Sequence, residues 1–233
     1  MEFVYKDEHV VVCDKPSGIL SEGESQGAMP ALLSKALDES GEKNTQIFPV
    51  HRLDKETSGL MVFARSSKAA AALSASITDG SFKKRYLAVL CGAPATDSAR
   101  LEDLLFFDRQ RGKTFVVDRE RRGVKKAILE YQTLKKSDEY TLVSVSLLTG
   151  RTHQIRAQFA SRGTPLVGDR RYGAPKESGN QLALLSCELS FPHPSTGAPM
   201  MFQLEDAEDA WDARGCGFST FFVKKVEPKN FKN

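Results

Sequence analysis

The stretch from His51 to Ala64 constrains this chain most. Its first part, His51-Arg52-Leu53-Asp54-Lys55-Glu56, is mostly polar and runs into Thr57, Ser58 and Gly59, small residues that let a backbone turn tightly. Its second part, Leu60-Met61-Val62-Phe63-Ala64, is an unbroken apolar run of the kind that forms a buried strand. One aspartate, Asp54, is thereby placed between a loop and a strand, with His51 and Arg52 just ahead of it. A carboxylate held in that way can act as a nucleophile.

The remaining chain reads as mixed helix and strand. Val10 to Cys13 is a short β-rich run that stops at the turn Lys15-Pro16-Ser17-Gly18. Met29 to Leu37 has apolar residues at helical spacing and ends at Gly41. Ser66 or Ser67 caps an alanine-rich helix, Lys68 to Ile77, closed by Asp79-Gly80. Phe82 to Leu90 is expected to be a strand with Phe82, Tyr86, Ala88 and Leu90 on one face. Further strands are expected at Thr114 to Val117, Ala127 to Leu134 and Tyr140 to Leu148. Thr152 to Ser161 reads as a helix ended by Gly163, Leu182 to Leu189 and Met200 to Leu204 as late strands. Asp206 to Ala213 reads as a short acidic helix and Phe218 to Val226 as a last strand. Many strands without regular βαβ alternation argue an α+β fold. The polar, basic stretch 109–126 is expected to be a mobile insertion in an otherwise single domain, 1–233.

A chain of 233 residues, 40% hydrophobic and 27% charged, has the composition of an ordinary soluble globular protein. The net charge of +3 permits a nucleic-acid partner without announcing one. The N-terminal sequence lacks the apolar core of a signal peptide, and no apolar segment is long enough to span a bilayer. The cysteines Cys13, Cys91, Cys187 and Cys216 are far apart and form no C-x-x-C pair, which suits reduced packing cysteines in a cytoplasmic protein. No cluster with metal-ligand spacing is visible.

Four segments, in order, carry a family resemblance: Lys15-Pro16-Ser17-Gly18-Ile19, the ten residues His51 to Leu60, Lys84-Arg85-Tyr86-Leu87-Ala88, and Thr149-Gly150-Arg151-Thr152-His153-Gln154-Ile155-Arg156. Gly163 to Asp169, Tyr172-Gly173 and Phe191-Pro192-His193-Pro194 support them. Together they resemble the RluA-type pseudouridine synthases over roughly Val10 to Met201. The resemblance implies a mixed, largely antiparallel sheet flanked by helices, with a central active-site cleft. The chain departs from many members where it has Glu22, Gln158 and Leu185 in place of histidine. It also leaves no room before Val10 for the small S4 RNA-binding domain that many relatives carry.

The implied reaction breaks the N1–C1′ bond of a uridine in RNA, turns the uracil, and joins its C5 to C1′. No net redox change occurs, so no cofactor is expected. Charge develops at C1′, and a carboxylate suits that task. Asp54 is the candidate, either attacking C1′ or assisting loss of the 2′ proton in a glycal route. Arg156 is the family's partner for this carboxylate, able to hold it with both arms of its guanidinium. Tyr86 is expected to pack on the uracil and to help remove the C5 proton. The target must leave its base stack, and Arg52 is similar to the arginine that fills the vacated space. Lys84, Arg85, Arg151, His153 and Gln154 are candidate contacts to RNA backbone or uracil edges. Basic clusters at Lys83 to Arg85, Arg109 to Lys113, Arg119 to Lys126 and Arg170-Arg171 suggest one positive surface for phosphates.

Two other functions fit parts of the pattern. An RNA-binding or chaperone protein would share the fold without needing Asp54, Tyr86 and Arg156 together. A nucleoside glycosidase would need a second carboxylate, for which Glu56 and Asp169 are the nearby candidates without an evident partner. The expected substrate is ribosomal or transfer RNA; oligomeric state is not readable.

Overall fold

A computed structural model describes residues 3–204. The helix expected at Asp206 to Ala213 and the strand at Phe218 to Val226 lie outside the described residues. The chain runs β1 (Phe3–Lys6), β2 (Val10–Lys15), α1 (Met29–Glu39), β3 (Phe48–Pro49), β4 (Ser58–Ala64), α2 (Ser67–Asp79), β5 (Lys83–Cys91), β6 (Ser98–Asp108), β7 (Lys113–Val117), β8 (Val124–Lys136), β9 (Tyr140–Leu147), α3 (Gln154–Ala160), β10 (Leu184–Pro192) and β11 (Pro199–Gln203). Within the described residues these strands form one eleven-stranded sheet in the order β1-β2-β4-β10-β5-β9-β8-β6-β7, with β3 beside β4 and β11 beside β10. The β4–β10 pair is parallel and every other named pairing is antiparallel.

The sheet explains the apolar run. All seven residues of β4 are buried. Met61 and Phe63 join Met29, Leu33 and Leu37 of α1 and Ile155 and Phe159 of α3 on one side. Leu60, Val62 and Ala64 join Ala69 and Leu73 of α2 on the other. A strand covered on both faces has no polar alternation, because neither face meets water. The helices follow from local chemistry. The Ser66 hydroxyl accepts the Ala69 amide at 3.1 Å and caps α2, and Gly80 ends it in the left-handed conformation at φ 79°. Pro30 sits in the first turn of α1, where its missing N–H costs nothing.

One local expectation is corrected, the strand expected at Thr114 to Val117 forms, and one strand went unread. Phe82 does not share a face with Tyr86. It precedes β5, outside the alternation of the strand, and stacks on Phe191 at 5.2 Å in the α2-side core. The stretch 109–126 contains β7, paired with β6 from Val117↔Leu104 to Lys113↔Asp108, and opens into β8. The sheet thus builds strand into a segment whose polarity argued for an insertion. Strand β6 went unread altogether. Its only buried residues are Leu101 and Leu105, a spacing that imitates a helix, while hydrogen bonds to β7 and β8 hold it extended.

Candidate active site

Asp54 lies in the loop that joins β3 to β4, and neighbouring segments strap this loop down. The Nζ of Lys15, a fully buried side chain, donates to the carbonyls of Pro16, Ile19 and Lys55 at 2.9, 2.8 and 3.1 Å. Burial lowers its pKa to about 8 against the opposing pull of Glu56 and Asp54. Ser17 Oγ donates to the Glu56 carbonyl at 2.7 Å, and Ser21 Oγ donates to the Leu53 carbonyl at 2.6 Å while accepting the Leu53 amide. The early Lys-Pro-Ser-Gly turn is therefore a brace for the Asp54 loop. His51 fixes the other side. β10 pairs β4 at Ser58 and Gly59, and β3 pairs it at Phe63 and Ala64, so Val62 falls in the gap. His51 Nε2 accepts its amide at 3.1 Å. Gly59 has φ +113°, and a Cβ there would stand 2.2 Å from the Ser186 carbonyl oxygen, so only glycine lets β10 close on β4.

Arg156 enters from α3 and is 4% exposed. It reaches Asp54 with one arm only, Nη1 to Oδ2 at 3.1 Å. The fork is spent on Asp169, Nε to Oδ2 at 2.7 Å and Nη2 to Oδ1 at 2.9 Å. The expected two-armed grip on Asp54 is thus corrected: the guanidinium is anchored by Asp169 and offers its remaining arm to Asp54. Burial alone would lower the Arg156 pKa, but Asp169 and then Asp54 outweigh it and raise it. Asp169, for which no partner was evident, is a buried counter-charge. Its loop closes through Gly168, at φ +74°, where a Cβ would strike the Gln181 carbonyl at 1.9 Å.

Tyr86 is 4% exposed on β5. Burial first, and the charge of Asp54 second, raise its pKa above the ordinary phenol value. The resting phenol is therefore protonated. His153 starts α3 with φ 53°, the one positive-φ non-glycine residue among those described. Its Nε2 stands 3.8 Å from Asp54 Oδ2. Tyr172 OH lies 3.0 Å from its Nδ1, and burial, ahead of neighbouring charges, lowers the imidazole pKa.

A cleft of about 1220 Å³ opens over these groups, lined by Asp54, Tyr86, Arg156, His153, Lys84 and Arg151 among others. The remaining candidates separate. Lys84 packs its Nζ over the Phe82 ring at 5.6 Å, and burial lowers its pKa. Arg52 is paired with Glu22 at 2.7 Å, and Arg85 with Glu188. Arg151 Nε donates to the Lys126 carbonyl at 2.9 Å. Gln154, expected to touch RNA, is 3% exposed; its Nε2 donates to the Ile128 carbonyl and its Oε1 accepts from Thr149 Oγ1 and the Arg151 amide. It knits the loop before α3 to β8 and does not face the cleft with a free group. The other basic clusters are also partly spent locally: Lys126 on Glu102, Arg111 on Asp108, and Arg171 on the Gly112 carbonyl. Among the described residues no group of His, Cys, Asp and Glu side chains is arranged to hold a metal ion. From the sequence, Lys15 and Tyr172 have no role, and Asp169 is offered only as a second carboxylate for a glycosidase. Each sits in a short segment already matched to the family, which was the available signal.

Comparison with known proteins identifies the family. The family model for RNA pseudouridylate synthase matches residues 9–161. An uncharacterized RNA pseudouridine synthase of Aquifex aeolicus is 36% identical over 226 residues, covering 89% of this chain and 70% of that protein. The dual-specificity RNA pseudouridine synthase RluA of Haemophilus influenzae is 33% identical over 210 residues, covering 87% of this chain and 91% of that protein. The solved structure of human RNA pseudouridylate synthase domain containing 4 superposes with a TM-score of 0.72 at 23% identity, covering 87% of each chain, and supports the fold. The chain belongs to the RluA-type RNA pseudouridine synthases, isomerases that turn uridine into pseudouridine within RNA.

Proposed function

We propose that Asp54, Arg156 and Tyr86 carry the isomerisation, and that the substrate is a uridine in structured ribosomal or transfer RNA. The observation that supports this most is the 3.1 Å contact between Asp54 and an arginine whose other arms are locked by Asp169. A carboxylate so held stays aimed while the cleft loses water. Asp54 then either attacks C1′ or takes the 2′ proton, and both routes need its charge. Tyr86 packs on the uracil from the cleft floor and its hydroxyl shares in removal of the C5 proton. No cofactor enters this scheme. Lys84, Arg151 and the paired Arg52 and Arg85 meet the RNA, the paired two by exchanging carboxylates for phosphates. That one relative is named dual-specificity is the reason to test both RNA classes. The single domain fits a cytoplasmic enzyme: Cys13, Cys91 and Cys187 are free thiols, and no described helix is long and apolar enough to cross a membrane.

The test uses ribosomal and transfer RNA carrying tritium at uridine C5. Isomerisation replaces the C5 hydrogen, so wild-type protein is expected to release the label to water. Asp54→Asn keeps the shape, removes the charge, and is expected to fold and release none. Near wild-type release by purified Asp54→Asn would refute the assignment.

A further inference from the structure

His153 has a defined orientation that a general RNA contact does not need. Tyr172 OH accepts the Thr114 amide at 2.7 Å, a bond whose donor is fixed because it is a backbone N–H. The phenol proton must then point elsewhere, and His153 Nδ1 lies in reach of it at 3.0 Å. If His153 instead donated from Nδ1, the phenol proton would be left to the Thr114 side chain, whose own hydroxyl proton is spent on the Thr152 carbonyl at 2.7 Å. This arrangement favours the tautomer that carries its proton on Nε2. That Nε2–H faces Asp54 Oδ2 at 3.8 Å, too far for a hydrogen bond, and has no other acceptor among the described residues. The backbone conforms to the same end, since φ 53° is an uncommon conformation outside glycine and aims the ring into the cleft from the first turn of α3. The groups around the ring are Asp54 from the β3–β4 loop, Arg156 from α3, Asp169 and Arg171 from the segment that follows it, and the edge-on rings of Phe107 and Tyr172.

Resting on the assignment of Asp54 above, we propose that His153 is a further catalytic residue: its Nε2–H donates a hydrogen bond to the departing uracil, and Tyr172 is the positioning residue that sets the tautomer. When N1–C1′ breaks, the bonding pair leaves with the base, and the negative charge spreads over N1 and the carbonyl oxygens. C1′ receives an electron pair from Asp54, or becomes doubly bonded to C2′ as Asp54 takes the 2′ proton. A neutral donor beside the attacking carboxylate is where that charge first appears. His153 gives no proton away. C5 then bonds to C1′ as the Asp54–C1′ bond breaks, or as Asp54 returns its proton to C2′. The C5 proton leaves to water while N1 takes one up, and the hydrogen bond to His153 weakens again. A charged imidazolium would instead pair with Asp54 and blunt it.

Nitrogen NMR of ¹⁵N-histidine-labelled protein reads the tautomer directly, with the His153→Asn spectrum giving the assignment. The Nε2–H form is expected at neutral pH, and the Nδ1–H form overturns the proposal whatever the activity. Single-turnover tritium release and RNA affinity are then compared across variants. Asparagine tolerates positive φ but is too short to reach, so His153→Asn should melt like wild type and lose about 100-fold in rate with RNA affinity nearly unchanged. Tyr172→Phe should lose roughly 10-fold and show both tautomers, a signature that mere loosening of the fold would not give. A His153→Asn rate within about threefold of wild type, or an affinity loss as large as the rate loss, overturns the role. If Asp54→Asn keeps releasing tritium, the carboxylate assignment itself fails. If Asp54→Asn is silent while His153→Asn is fully active, only the role of His153 falls.

Discussion

Arg156 serves two carboxylates unequally, and the inequality is measurable. Asp169 takes two charge-assisted bonds in a buried site, while Asp54 takes one at the cleft floor. Arg156→Met strands both acids, so it should cost about 3–5 kcal/mol in stability. Double-mutant cycles from denaturant melts should give a larger coupling for Arg156 with Asp169 than with Asp54. Equal couplings would mean the anchor has been misassigned. The histidines supply a second residue-scale prediction. His51 and His153 both have pKa values lowered below 6.5 by burial, His51 well below. As pH falls below 6.5 the unfolded chain takes up protons that the folded chain refuses, so stability drops with falling pH and is flat above it. The slope approaches about 1.4 kcal/mol per pH unit for each such group. Melts between pH 7 and 5 should show this fall, and His51→Gln, which can still accept the Val62 amide, should lessen it. An unchanged slope would place the acid sensitivity elsewhere.

At the scale of elements, the site depends on where strands meet more than on any helix. The parallel contact of β4 and β10 brings Ser186 against Gly59, at the end of the loop that carries Asp54. Gly59→Ala adds both a disfavoured φ and a clash with backbone that cannot rotate away. It should cost roughly 3 kcal/mol or more and lower activity with stability, because the strands must part at the active site. A variant that melts like wild type would show that β4 and β10 do not approach this closely. Ser66, by contrast, caps the end of α2 opposite to the one, at Ile77 and Thr78, that lines the cleft; its conversion to alanine should cost about 1 kcal/mol and spare the rate.

For the molecule as a whole, the question is which cations are free to meet a polyanion. The net charge of +3 does not say, and neither do the basic runs. Arg52 and Arg85 hold carboxylates, whereas Lys84 rests on an aromatic face with no ion pair among the described residues. Lys84 can release a counterion from RNA without first surrendering a partner. Lys84→Ala should therefore lower the slope of log affinity against log salt by about 0.7–0.9, and Arg85→Ala by clearly less. Filter binding across a salt series measures both. Equal slope changes would show that the Arg85–Glu188 pair opens at no cost.

The chain by itself determined the family, the α+β class and most strands, because these lie in local patterns: a buried run without alternation, a serine cap, a polar loop ending in glycine. It offered Asp54, Tyr86 and Arg156 as candidates through short segments that resemble the family. It determined less where a residue's role depends on what lies across the fold. That Arg156 grips Asp169 with its fork and Asp54 with a single arm follows from how α3, the turn after it and the β3–β4 loop converge. That the Gln154 amide, though it lines the cleft, is spent on Thr149, Arg151 and Ile128 follows from what stands across from the start of α3. Strand β6 was illegible because its neighbours hold it extended and only Leu101 and Leu105 are buried. Local periodicity records which faces meet water; it does not record which distant group stands opposite. The direction of a guanidinium, the tautomer of an imidazole and the pairing of an arginine are set by such distant groups, and only the tertiary structure decides them.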